Sequence, residues 1–446
     1  MAFDMSQHMS IGALLRYTLP SIGMTVFMSL YVMVDGFFVS HFAGATALAA
    51  VNFAFPLSML LGTVGYMIGT GGGALVAKTR GEGDEERANR LFSMFIYASI
   101  VAGVVLILIG EPLLRPALVL LGAEGQMLVL AEEYGTILIA GLVFDILQYV
   151  FQGLVMTAGK PKLGFWVTVA AGCTNFAFDA LLIGGLGLGV RGAAIATVAS
   201  MAVGGLIPLV YFARPNTSPL RLGRTSLDWR ALGKGASNGL SEMVTNIAMS
   251  VVAIVYNVVL VRVIGEDGVA AYGVMMYVSF LFAAVFMGYI VGSSPLMSFQ
   301  YGAQNHTEMQ SLFKKSLAIM GAFGVAMFAV MRVAMGPLAS LFVGYDASLC
   351  ALTEHVLGIC SFMFLIMGFG MYGPSLFTAL NNGVVSAIMA FLRTLVFEIG
   401  FVLILPNFMG ADGIWYSGVF AEVAAVLISV FFVLWLRDRY GYLPPK

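Results

Sequence analysis

Apolar residues in this chain neither alternate nor recur every third or fourth position; they run. Stretches of roughly 20 or more apolar residues follow one another from end to end. Each is long enough to cross about 30 Å of hydrocarbon as a helix. Polar, charged segments such as Thr79 to Arg87 and Arg214 to Arg230 separate them. The pattern predicts an all-α polytopic membrane protein with twelve spans, near 12–40, 46–77, 90–110, 127–156, 163–186, 190–213, 235–263, 268–300, 311–331, 350–380, 384–406 and 412–436. A transmembrane β-barrel would show alternating segments of about 10 residues, and these runs are too long and continuous for that. The first run also exceeds the apolar region of a signal peptide, with no cleavage pattern, so it is expected to be retained.

Composition agrees. Of 446 residues, 60% are hydrophobic and 10% charged, against about 25% charged in soluble domains. So few charges cannot build a polar shell, and lipid is the expected solvent for most of the surface. A net charge of -1 argues against nucleic-acid binding. The 53 glycines suit close helix packing in lipid. Cys173, Cys350 and Cys360 read as small apolar fillers. No phosphate-binding Gly-x-x-x-x-Gly-Lys-Ser/Thr loop, His/Cys metal cluster or sizeable soluble domain is present, so neither an enzyme nor direct ATP drive is expected, and no cofactor. Gly71-Gly72-Gly73 lies inside a span and reads as tight helix packing.

Loop charges set the expected orientation. With the N-terminus cytoplasmic, every Lys and Arg falls inside except Arg115, Arg191, Arg262 and Arg332 outside and Arg393 within a span. This is the asymmetry of the positive-inside rule. Both termini are therefore expected in the cytoplasm of a multi-pass protein of the cell (inner) membrane.

A shift of 221 positions aligns motifs between the halves. Gly44 meets Gly265, Gly71 meets Gly292, Gly81 meets Gly302, Pro116 meets Pro337, Thr157-Ala158 meets Thr378-Ala379, and Gly192 meets Gly413. Six spans per half is an even number, so both halves insert alike, around a cavity near the midplane. The expected organisation is an N-terminal lobe over 1–213, a cytoplasmic linker over 214–234 and a C-terminal lobe over 235–446.

The informative residues are charges in the spans: Asp35, Asp145, Asp179, Glu242, Arg393, Glu398 and Glu422. Each costs about 2.5–3.5 kcal/mol at a helix centre on insertion scales. Six acids and one base cannot all pair, and an unpaired acid can carry a proton or, once ionised, hold Na⁺. Asp35 lies about four turns after Pro20, nearly on one face, and Pro20 permits a bend. Asn175 and Asp179 are four apart and share a face; Thr197 offers a hydroxyl. One reading is a protonatable network in the first lobe, and the other is structural hydrogen bonding between helices. Glu242 faces the cavity or sits near the headgroups. Glu398 and Glu422 are expected to share Arg393, and Asp145 has no evident partner. Met33, Phe38, Tyr149, Met275, Met276 and Tyr277 are candidate cavity-wall residues, since Met adapts to varied apolar ligands and aromatics hold cations.

Nearly the whole chain resembles the multidrug and toxic compound extrusion (MATE) family. The resemblance is carried by Tyr31-Val-Met-Val-Asp35, Gly44 with Ala47-Leu-Ala-Ala50, Gly81-Glu-Gly-Asp84, Asn175-Phe-Ala-Phe-Asp179 and Gly192-Ala-Ala-Ile-Ala-Thr197. Val269-Ala-Ala-Tyr-Gly273, Pro295-Leu296 and Tyr301-Gly-Ala303 carry it in the second half. The resemblance implies two six-helix lobes in a V and H⁺- or Na⁺-coupled efflux of amphipathic, often cationic drugs by a monomer. It also implies ion coupling at Asp35, Asn175, Asp179 and Thr197, with Pro20 as the bending point. Where many members carry Pro near the seventh span, this chain has Ala236 and Ser237. An exporter of lipid-linked oligosaccharides or other metabolites from the same superfamily is the alternative within transport, and a channel or membrane receptor the alternative outside it.

Overall fold

The computed structural model describes residues 5–38 and 45–444, without the side chains of 32–38, 45–49, 52 and 266. Among the described residues the regular structure is helical, with no strand. The first half runs α1 Ile11–Phe38, α2 Ala45–Gly81, α3 Glu85–Leu120, α4 Gly125–Ala140, α5 Leu142–Thr157, α6 Pro161–Phe178, a π-helical segment Asp179–Gly185, and α7 Gly189–Ala213. The second runs α8 Trp229–Asn238, α9 Leu240–Val263, α10 Glu266–Gly302, α11 His306–Val343, α12 Ala347–Ala379 and α13 Gly383–Phe391. It then continues through a second π-helical segment, Leu392–Phe397, to α14 Glu398–Ile404, α15 Pro406–Met409, α16 Ala411–Trp435 and α17 Arg437–Tyr440. Polar loop residues start the helices. Asp84 accepts from the Arg87 amide at 2.9 Å and Asn305 from the Glu308 amide at 3.2 Å, each satisfying an orphan donor.

Among the described residues eleven helices are long and apolar enough to span a membrane, and α4 with α5, bent by 57°, passes the same test as a pair, which makes twelve if the two form one broken span. The sequence predicts an unbroken helix there. The break falls at Gly141, where Val198 of α7 lies 2.6 Å from the place a Cβ would take. The seventh span also begins later than expected. Residues 229–238 form the separate short helix α8, capped by Asp228, and the span proper starts after Gly239. α3 and α11 outrun their predicted ends because they continue through Pro112, Pro116 and Pro337. Membrane helices tolerate such residues where neighbours answer the freed backbone groups.

Most cations expected on the far side are answered by neighbouring helices. Arg115 pairs with Glu132 at 2.8 Å and Arg191 with Glu133 at 2.6 Å. Arg332, expected in a loop, lies within α11 and donates to the Gly358 carbonyl at 3.4 Å.

The two lobes touch through glycine. A Cβ on Gly81 would collide with the Phe299 carbonyl oxygen, and one on Gly302 with the Lys78 carbonyl oxygen. The two collisions are the same contact shifted by the 221-residue register. Nearby, Gly71 meets the backbone of Gly235 and Gly239, and Gly239 meets that of Met67. On the other flank Ser21 Oγ donates to the Gly288 carbonyl and Thr25 Oγ1 to the Ala284 carbonyl, both at 2.7 Å. These contacts join the lobes toward the end that carries both termini. Gln300 donates to the Met5 carbonyl at 2.8 Å, and Glu308 accepts from the Met9 amide at 2.9 Å and binds the His8 ring at 2.5 Å. Gln310 donates to the Gly441 carbonyl at 3.2 Å.

This seal makes a prediction. In a cysteine-free background with one cysteine at Lys78, Gly302→Val should raise labelling by a membrane-impermeant maleimide several-fold, because the lobes no longer close on the residue. Equal labelling rates would contradict the role given to the glycine contact.

Candidate functional site

Three N-terminal-lobe helices converge where the sequence places its charged network. Asn175 ends the buried face of α6, and Asp179, fully buried, opens the π-helical segment. A π-turn admits an extra residue per turn and often marks functional positions. Here the Leu186 amide reaches back to the Leu181 carbonyl. The segment lies close on α7 because Gly192 has no Cβ; Leu182 backbone atoms stand 3.1 Å from where one would be. Thr197 is half-buried on α7, its hydroxyl donating to the Ala193 carbonyl at 2.9 Å. α1 presses on α6 through Tyr31, 3.2 Å from the Cβ position of Gly172. Pro20 is half-buried inside α1. The side chains of Met33, Asp35 and Phe38 lie outside the described residues.

The other candidates separate. Tyr149 on α5 is half-buried and stacks on Tyr66 of α2 with ring centroids 3.9 Å apart. Glu242 is half-buried in the first turn of α9, within Coulombic range of Tyr66 across the lobe interface and of Arg393. Met275 and Met276 are half-buried against the C-terminal core. Tyr277 is exposed and stacks on Phe342 of α11 at 6.5 Å.

The C-terminal lobe divides its acids differently from expectation. Glu422 takes Arg393 in a two-pronged ion pair, with Nε to Oε2 at 3.2 Å and a second, shorter bond from Nη2 to Oε1. Glu398 lies within Coulombic range of Arg393 but makes no direct ion pair with it. Its Oε2 accepts from the Tyr256 hydroxyl at 3.1 Å, and Tyr256 stacks on Tyr272 at 4.9 Å. Tyr256 is the second-half counterpart of Asp35 in the 221 register, so the lobes differ chemically at matched positions. The register singles out Tyr256 but says nothing of a partner far along the chain. Among the described residues no group of three or more His, Cys, Asp and Glu is placed to hold a metal.

A model of the MatE family matches residues 20–181 and 243–404. The multidrug export protein MepA of Staphylococcus haemolyticus is 25% identical over 96% of this chain and 94% of its own. A crystal structure of MATE in complex with MaL6 is 25% identical, with a TM-score of 0.90 over 97% of this chain and 96% of that one. An outward-facing multidrug resistance MATE family transporter of the MOP superfamily is 26% identical, with a TM-score of 0.90 over 96% of this chain and 95% of that one.

The Arg393–Glu422 pair is open to direct measurement. Glu422→Gln leaves a buried guanidinium unanswered and should cost about 3–5 kcal/mol, whereas replacing both partners by apolar residues of similar volume should restore most of it. Thermal unfolding in detergent checks both. A single variant as stable as the parent would contradict the pairing.

Proposed function

This chain belongs to the MatE family of membrane transporters, and from that premise we propose that it is a cation-coupled exporter of amphipathic, often cationic, small molecules. The observation that carries the reading is the meeting of a proline-containing α1 with the buried pair Asn175 and Asp179 at a π-helical break. Lobes joined through close glycine contacts toward the end carrying both termini also suit alternating access, in which such a seal is made at one end and then the other. MepA is named as a multidrug export protein, and one of the similar structures as a multidrug resistance transporter; both names favour drugs as substrates here.

The proposed cycle uses these parts in order. By the positive-inside argument the end carrying both termini, where the glycine contacts join the lobes, is cytoplasmic. A proton or Na⁺ binds at Asp35 or Asp179, with Asn175 and Thr197 as polar neighbours. α1 then bends at Pro20, where the missing amide weakens the helix, and the lobe cavity contracts and expels the drug. Cation and drug must disfavour each other by a coupling free energy of typically about 1–3 kcal/mol. The proposed setting is the cell membrane, with the protein acting as a monomer and without cofactor.

A lipid-linked oligosaccharide exporter is the less favoured reading. Anionic carriers call for a basic cavity, and Arg393, the sole Lys or Arg assigned to a span interior from the sequence, is already neutralised by Glu422. Asp35→Asn and Asp179→Asn should each abolish pH- or Na⁺-gradient-driven uptake of ethidium into everted vesicles while the protein still inserts. Undiminished gradient-driven uptake in both would overturn the assignment.

A further inference from the structure

One buried acid has no place in that cycle. Asp145 lies in the first turn of α5, just past the break at Gly141, and is 5% exposed. Among the described residues its carboxyl makes no hydrogen bond and no ion pair with a Lys, Arg or His. The surrounding packing makes room for it. A Cβ on Gly62 of α2 would collide with Asp145 Oδ2, and the edge of Tyr149 lies 3.6 Å from the same point. Tyr149 and Tyr66, stacked at 3.9 Å, are both half-buried. Both phenols feel the carboxyl electrostatically, and Tyr66 also feels Glu242 across the lobe interface. The tyrosine pair thus has the Asp145 carboxyl on one element and the Glu242 carboxyl of the other lobe as ionisable neighbours. Tyr31 of α1 is a further ionisable neighbour of the pair.

An ionised carboxylate in apolar surroundings must find a counter-ion, and otherwise it stays protonated. Among the described residues no Lys, Arg or His is paired with Asp145. The protein supplies instead two stacked aromatic rings, whose faces attract cations, most strongly where water is excluded. We propose that Asp145, Tyr66 and Tyr149 form a second exchange site of the N-terminal lobe, distinct from the Asp35 and Asp179 set. The tyrosine pair takes the head of a monovalent organic cation, with Asp145 as the counter-charge behind it, and Asp145 holds a proton when that head is absent. One proton leaves Asp145 for bulk water as each cation arrives, so charge in the site is conserved. The assignment rests on the export reading and specifies its substrate class.

Tetraphenylphosphonium is the probe. Its binding to the purified full-length protein is measured by calorimetry in two buffers of different ionisation enthalpy, which counts released protons. The wild type should release protons on binding, more of them than Asp145→Asn. The variant should bind at least about tenfold more weakly, a loss of about 1.4 kcal/mol, and lose most of the pH dependence of binding. Gly62→Ala, which pushes a methyl group into the carboxyl, should weaken binding without removing any ionisable group. Melting temperature and gel filtration identify folded variants, and Asp145→Glu should retain proton release. Folded Asp145→Asn protein with wild-type affinity and proton release overturns this site alone. Wild-type protein that binds no tetraphenylphosphonium overturns both the site and the export reading.

Discussion

Where α2 crosses α10, there is no room for a side chain on either helix. Gly81 faces the Phe299 carbonyl and Gly302 the Lys78 carbonyl, and most of the architecture follows from that pair of contacts. Lipid offers no hydrophobic drive for helices to associate, so association depends on close packing and hydrogen bonds. Backbone-to-backbone contact at two symmetric points gives that packing over a small area. The hydroxyls of Ser21 and Thr25 extend it along α1, and the segment before α1 ties the same end through Met5, His8 and Met9. Such a joint holds one state firmly without filling the whole interface, which is what a bistable transporter needs.

The lobes share a register but not a chemistry. In the C-terminal lobe two of the acids are answered within the lobe, Glu422 by Arg393 and Glu398 by Tyr256. In the N-terminal lobe Asp179 opens a π-helical segment, and Asp145 has no Lys, Arg or His paired with it among the described residues. The proposed exchange therefore falls to the lobe with the π-helical break and the proline in α1.

Much of this was legible in the chain. The twelve runs of apolar residues fall on eleven long apolar helices and one bent helix pair among the described residues, because a membrane helix needs little beyond length and hydrophobicity. The features that failed to show are those created by a neighbour. The break at Gly141 lies where Val198 of α7 packs against the glycine, and glycine is too common in these spans for that to be visible in advance. Arg332 looked like a loop residue because its partner is a carbonyl on α12. The π-helical segments at Asp179 and Leu392 carry no sequence signature used here. Of the site, Asn175 and Asp179 could be grouped by their helical spacing, whereas the pairing of Asp145 with the Tyr66 and Tyr149 stack depends on α2 and α5 packing through Gly62, Gly65 and Gly69.

The most direct test of the account is transport by the purified protein in proteoliposomes loaded with ethidium, with an inward gradient of H⁺ or of Na⁺ imposed in turn. The account predicts saturable drug movement against its own gradient, driven by at least one of the two cations and stopped by the ionophore that collapses that gradient. Drug movement that never exceeds downhill equilibration under either gradient would contradict it.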